Sequence, residues 1–493
     1  MKNIARRLVV FAKKAYLCKM NMLPEDFIQQ TKAVMGDELW KVVEQALTLQ
    51  QPPTSIRLNQ TKGMGRDQLA VAPLKDVPWC DDGWQLDTRP AFTFDPCLHA
   101  GAYYVQESSS MFLHHIIRQH VRQPVLMLDL CAAPGGKSTL ARTALPEGSL
   151  LVSNEPIRNR AQILAENMQK WGHEDVIVTN SYPRDFSKSG LLFDVILTDV
   201  PCSGEGMFRK DSGAIDEWSL QNVEQCWKLQ REIVADAWKC LKAGGLLIYG
   251  TCTFNTKENE ENVRWIAEEL GGSIVGVDVD ESWNITGSLL EGFDKPVYRF
   301  LPGKTCGEGL FMAIVRKEGR LDEEPAKPKK VKKAKGGQPD RKKSVALPLT
   351  DAHRFVATEL NGHAVAIPSA WKEVYDKAVA KLHVLHAGVP IGENKGKDLV
   401  PDTGLALSRC LQRGAFPQSE LSYEQAVAYL RREAVALPDG TPRGFVLVTY
   451  RSMPLGFVKN IGTRANNLYP AEWKIRSSHA PETPPEIVIT DKE

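Results

Sequence analysis

From residue 125 to residue 316, short runs of Val, Ile and Leu alternate with stretches in which apolar residues return at helical spacing. The runs are Val125–Leu130, Leu150–Ser153, Val176–Thr179, Val195–Thr198, Leu246–Tyr249 and Leu310–Val315, and each predicts a strand. Strands alternating with helices predict an α/β fold with a doubly wound, largely parallel sheet, whose ligand binds at the carboxyl ends of the strands. Ahead of this region, the spacing over Pro24–Leu49 predicts a helix, and Ser55–Asn59 and Ala91–Phe94 predict strands of a small α/β domain. Behind it, Tyr423–Arg432 has helical spacing and Gly444–Tyr450 reads as a strand. Gly319–Lys343 has no apolar period and is rich in Lys, Pro and Gly, so it cannot bury enough apolar surface to fold alone and reads as a linker.

At 493 residues the chain is too long for one hydrophobic core and is expected to form two to four domains. No apolar run approaches the ~20 residues that span a bilayer, so no membrane association is expected. The first nineteen residues carry six basic and no acidic side chains and read as a flexible arm or an over-long start. The ten cysteines are scattered, none as Cys-x-x-Cys, which argues against disulfides or a zinc site and fits a reducing cytoplasm. A formal net charge of +2 leaves nucleic-acid binding to local basic patches.

Three of the predicted strands run into loops with chemical content. After Val125–Leu130 comes Cys131-Ala132-Ala133-Pro134-Gly135-Gly136-Lys137. It is not a P-loop, because Cys131 stands where the first glycine must be, and the dinucleotide pattern Gly-x-Gly-x-x-Gly is absent. The adjacent glycines are expected to let backbone amides approach a nucleoside cofactor. Glu155 ends the next strand, where a carboxylate can grip ribose hydroxyls. Asn180 ends the third, placed either to reach an adenine edge or to shape its own turn. Asp199-Val200-Pro201-Cys202 and Thr251-Cys252-Thr253 follow two further strands. Two thiols and a carboxyl group suit methylation of cytosine: C5 becomes nucleophilic only after a thiolate adds to C6 while a partner satisfies N3.

The chain resembles the Sun-type RNA cytosine-C5 methyltransferases, and within them the bacterial RsmF group acting on 16S ribosomal RNA. The resemblance rests on Tyr104–Met111, on Cys131–Lys137, on Asp199–Asp211, and on Thr251-Cys252-Thr253 with Glu258-Asn259-Glu260-Glu261-Asn262. It implies S-adenosyl-L-methionine as methyl donor, Cys252 as nucleophile, Cys202 as the aid to product release and Asp199 as the partner of the cytosine. Cys131, Ala132, Ala133, Pro134, Gly135, Gly136, Lys137, Glu155, Asn180 and Asp199 would then form the cofactor site. Two departures stand out: Val200 replaces the usual alanine, and Thr179–Tyr182 lacks the acidic residue many relatives place there. The C-terminal segment resembles the PUA-like barrel of the RsmF group, and its basic Lys459 and Arg464, interleaved with Tyr469 and Trp473, suit phosphate contact and base stacking.

The organisation expected is therefore a basic leader (1–20), an N-terminal α/β RNA-binding domain (21–100) and a Rossmann-like class I methyltransferase domain (101–317). A basic linker (318–345), an intermediate segment (346–400), a PUA-like RNA-binding domain (401–480) and a tail (481–493) follow. The expected partner is ribosomal RNA or the small ribosomal subunit. Alternatives are a transfer RNA methyltransferase with the same motifs and a non-catalytic RNA-binding assembly factor.

Overall fold

The computed structural model of the protein describes residues 23–70, 75–319, 347–396, 398–477, 481 and 483–489; the 1–20 leader and residues 320–345 of the linker lie outside the described residues. Helix α1 (Glu25–Leu49) begins with Glu25 and Asp26, acids that suit the positive end of a helix dipole, and kinks at Gly36, whose φ is 74°. It buries Phe27, whose ring meets Phe208 and Trp218 edge-on at 5.0 and 5.6 Å. The N-terminal unit is thereby fixed to the segment that follows Cys202. Its sheet has the order β2 (Lys75–Asp76), β3 (Gly83–Leu86), β1 (Thr54–Leu58), β4 (Tyr103–Val105).

Five mutually parallel strands form the centre of the nine-stranded main sheet: β5 (Leu126–Asp129), β6 (Leu150–Asn154), β7 (Val176–Thr179), β8 (Phe193–Asp199) and β9 (Leu241–Thr251). Their apolar runs are continuous because both faces are covered: Leu126 and Leu128 enter one core with Val152 and Ile196, Met127 the other with Leu151 and Leu197. The spatial order β9-β8-β5-β6-β7 reverses between β5 and β8, so a crevice opens beyond the carboxyl ends of these two strands. Antiparallel strands widen the sheet: β12 (Leu310–Lys317) beside β9, then β10 (Gly272–Val275), with β11 (Tyr298–Phe300) also on β12.

The C-terminal half forms two four-stranded sheets. One contains β13 (Phe355–Leu360), β14 (His363–Pro368), β16 (Val389–Lys395) and β17 (Asp398–Pro401); the other contains β18 (Gln418–Glu420), β19 (Gly444–Tyr450), β20 (Met453–Asn460) and β21 (Ala465–Asn467). Ile391, Leu447 and Phe457 share a core between them. Among the described residues no helix is long and apolar enough to cross a membrane.

Two expectations need correction. Ala91–Phe94 is not a strand: Phe92–Phe94 is a 3-10 turn, and Asp95, accepting from the Cys97 amide, caps a helix that starts at Pro96. Phe92 and Phe94 are both buried, so their alternation reflects a turn between core side chains rather than a pleat. The N-terminal unit does not stop at residue 100, because β4 pairs with β1. Residues 346–400, expected as an intermediate segment, carry most of the β13-β14-β16-β17 sheet and also β15 (Val384–Ala387), which pairs with β7 and extends the main sheet. Within the tail, Ile487 and Val488 are buried in a core with Ile56, Leu58 and Tyr469, and Ala70 N–H donates to the Ile487 carbonyl.

Candidate active site

Asp129 closes β5 fully buried, and its Oδ2 accepts the Ser138 hydroxyl at 2.6 Å, which ties the first turn of α2 (Gly136–Ala144) to the strand end. Burial pushes the carboxyl up to about 7 against the pull of that hydrogen bond. Its Oδ1 has no hydrogen-bond partner, a costly state for a buried acceptor unless a ligand donates to it. The Cys131–Lys137 loop is held from α3 (Arg158–Trp171): Arg160 donates to the Ala133 carbonyl at 3.2 Å and Asn167 to the Pro134 carbonyl at 2.8 Å. The Ala132 amide donates to the Asn154 carbonyl at 2.8 Å, and burial holds the Cys131 thiol well above its usual range.

The two glycines serve the protein's own packing first. Gly135 has φ 117°, and a Cβ there would stand 3.3 Å from the Asn167 side chain; at Gly136 it would stand 3.3 Å from Tyr104. A side chain at either position would strain the loop against protein neighbours rather than fill ligand space.

Glu155 is only 2% exposed; one oxygen accepts the Ile157 amide at 2.9 Å and the other lies 3.3 Å from Arg160. Asn180 commits its side-chain nitrogen to backbone carbonyls. Its Nδ2 donates to the Glu155 and Pro156 carbonyls at 2.8 and 2.9 Å, so it shapes the turn that carries Glu155.

Adjacent parallel strands β8 and β9 bring the two thiols together, with Asp199 beside Gly250 in the register and the Val200 amide on the Gly250 carbonyl. The sulfurs of Cys202 and Cys252 are 3.2 Å apart, and the Cys252 amide points at Cys202 Sγ at 3.3 Å. The hydrogen bond to Cys252 and burial hold the Cys202 thiol well above its usual range, so Cys202 keeps its proton. Lys137 Nζ donates to Asp199 Oδ2 at 2.8 Å, linking the Cys131–Lys137 loop to the end of β8. Burial works against the lysine's charge, but Asp199 outweighs it and raises the pKa.

A buried polar network, which the sequence reading did not assign, fixes both cysteine loops. Glu258 accepts the Ser203 amide at 3.0 Å, Gln230 Nε2 at 2.6 Å and Asn255 Nδ2 at 2.8 Å. Glu205 accepts the Phe254 and Asn255 amides, and the Gly206 amide donates to the Cys252 carbonyl at 2.8 Å. Burial, with the charge of Glu205 adding to it, pushes Glu258 up to about 7. The signal available in sequence was the density of Glu and Asn just beyond each cysteine.

Residues 119–316 match the model of the 16S rRNA methyltransferase RsmB/F family. Residues 23–108 match the N-terminal domain of 16S rRNA methyltransferase RsmF, and 416–475 match the methyltransferase RsmF PUA domain. The chain is 30% identical over 481 residues to ribosomal RNA small subunit methyltransferase F of Salmonella agona, covering 91% of this chain and 96% of that one. The Klebsiella pneumoniae protein of the same name is 30% identical over 484 residues, with the same coverage. The chain belongs to the RsmB/F family of 16S ribosomal RNA methyltransferases. The RsmB/F fold is shared with a methyltransferase homologue from Pyrococcus horikoshii (TM-score 0.51, 23% identity, 62% of this chain and 99% of that one). It is shared too with NSun6 from the same organism, solved with SFG (TM-score 0.50, 20% identity, 60% and 99%).

As in other RsmB/F methyltransferases, S-adenosyl-L-methionine is the methyl donor. The residues present fit it: Asp129 keeps an unpaired buried acceptor at the ligand end of β5, and the Glu155 carboxylate sits at the end of β6.

The RsmF-type PUA region treats its four expected RNA-contact residues unequally. Tyr469 is 1% exposed, its ring edge-on to Tyr429 at 5.4 Å, so it has no face for a base and is a core residue. Trp473 is half-buried, 6.1 Å from Tyr469 and under the Lys170 ammonium at 5.5 Å. Lys459 pairs with Asp398 at 2.8 Å, while Arg464 is exposed. Tyr469 and Trp473 lie beyond the end of β21, where the chain folds back over the core of the N-terminal unit, so their interleaving with basic residues along the sequence did not set which way they face.

Proposed function

We propose that this RsmB/F family member methylates C5 of a cytosine in small-subunit ribosomal RNA through a covalent bond between Cys252 and C6. The observation that carries the reading is the 3.2 Å approach of Cys202 and Cys252 beside the Asp199–Lys137 pair. A single nucleophile would need neither the second thiol nor its retained proton. Addition of the Cys252 sulfur to C6 forms the carbon–sulfur bond and moves the ring electrons to C5. Asp199 passes a proton to N3 during that addition and draws it from the Lys137 ammonium hydrogen-bonded to it. When bound, S-adenosylmethionine supplies a methyl group activated by its sulfonium. Release then requires loss of the C5 proton and rupture of the C6–S bond, with the electrons restoring the C5–C6 double bond. In this reading the Cys202 sulfur takes the proton leaving C5 as its own proton passes along the hydrogen bond to the departing Cys252 sulfur, so both thiols are regenerated.

The order of action separates the two cysteines experimentally. Cys252→Ala should form no covalent adduct. Cys202→Ala should attack and methylate but release slowly, accumulating a protein–RNA species that survives denaturing electrophoresis. Asp199→Ala should block that accumulation and cost about 10²–10⁴ in rate. A trapped complex from Cys252→Ala and none from Cys202→Ala would overturn the assignment.

A further inference from the structure

The N-terminal sheet and the segment after Cys202 meet at a groove of about 800 Å³. It is lined by residues 51–55 and 85–89, by Gln106 and Glu107, and by Arg209 and Lys210. Three contacts join it to the catalytic centre. Gln106 packs on the first turn of α2, where a Cβ on Gly136 would meet its side chain at 3.7 Å, one residue before Lys137. Glu107 accepts the Glu308 amide at 2.9 Å, and Glu308 takes Arg209 Nε at 2.6 Å. Arg209 lies three residues beyond Gly206, which holds the Cys252 carbonyl.

Several of the groove's charges are already engaged. Arg209 is buried on Glu308 and the Gly307 carbonyl, and Glu107 caps the Ser109 and Ser110 amides. Arg89 is exposed, its guanidinium 5.7 Å over the Phe92 ring, and the Lys210 ammonium stands 3.9 Å from Glu308, beyond hydrogen-bond reach. Among the described residues that line the groove, Asp87 is the one exposed acid beside these two cations. Pro52 and Pro53 add half-buried apolar surface.

A base attacked at C6 must leave its stack, which pulls its neighbours out of helical geometry and onto the protein. We infer that this groove carries the nucleotides flanking the target base, with Arg89 and Lys210 on their phosphates and Pro52 and Pro53 against a base. The inference rests on the reading of the site as an RNA cytosine methyltransferase.

The test uses the full chain, a small-subunit ribosomal RNA fragment, and the variants Arg89→Glu, Lys210→Gln and their double. Each lost phosphate contact should lower the slope of log affinity against log salt by about 0.7, with S-adenosylmethionine affinity and melting temperature unchanged. A photoreactive nucleoside next to the target base should crosslink to the 51–55 or 85–89 segment. Unchanged salt slopes in the double variant, or crosslinks confined to other surfaces, would overturn the groove assignment. Binding slopes are read without catalysis, so absence of cytosine methylation by the parent would instead remove the underlying reading.

Discussion

The carboxyl end of the main sheet and the β18–β21 sheet use polar side chains in opposite ways. At the first, Cys202, Cys252, Asp199 and Lys137 converge from three loops, and Glu205, Glu258 and Asn255 hold those loops from behind. At the second, Tyr469 turns into a core shared with Ile56 and Leu58 of the N-terminal unit, and Lys459 is balanced by Asp398. Chemistry at the first region demands partners at fixed distances; the second presents a surface whose inner face packs against the N-terminal unit. A substitution should therefore report on reaction in one region and on folding in the other.

The largest effect that could break this contrast is at Tyr469. Tyr469→Ala empties a fully buried aromatic site and should cost about 3–5 kcal/mol of stability. Tyr469→Phe removes a hydroxyl that has no hydrogen-bond partner and should leave stability nearly unchanged. Chemical denaturation of both variants, with RNA affinity measured on Tyr469→Phe, checks this. A stable Tyr469→Ala with weakened RNA binding would return Tyr469 to the RNA surface.

Glu155 tests the other region more gently. Its carboxylate already holds the Ile157 amide and Arg160, so Glu155→Ala loses both the turn and any ribose contact. Charge-assisted hydrogen bonds worth roughly 1.5–3 kcal/mol imply S-adenosylmethionine binding weaker by about ten- to a hundredfold. Calorimetry showing unchanged affinity would restrict Glu155 to holding its turn.

How legible these regions were in sequence follows the same division. Parallel strands buried on both faces leave uninterrupted apolar runs, so β5 to β9 were found, and each cysteine motif stood at a strand end that topology then made adjacent. Adjacency of β8 and β9 is a consequence of winding that no local pattern encodes. The Lys137–Asp199 pair and the Glu205–Glu258 network were hidden for the same reason, as both join residues more than fifty positions apart. Ala91–Phe94 misled because Phe-x-Phe alternation is also produced by a 3-10 turn with two core-facing rings. β15 was missed as part of the main sheet because a strand's sequence does not say which sheet it joins.

The smallest expected effect separates the two basic residues of the C-terminal sheet. Lys459 is 38% exposed and its partner Asp398 55%, so their pair is screened by solvent and Lys459→Gln should change stability by no more than about 1 kcal/mol. The acid also offsets part of the attraction that Lys459 can exert on a phosphate. Arg464 is exposed, and among the described residues no side-chain partner holds its guanidinium, so its charge is fully available. Arg464→Gln should therefore reduce the salt slope of RNA binding by about 0.7, and Lys459→Gln by less. Removing the acid by Asp398→Asn frees Lys459 and should strengthen binding slightly at low salt, an effect that vanishes as salt shortens the range of the interaction. Equal slopes for all three variants and the parent would mean that this face of the sheet lies away from the RNA.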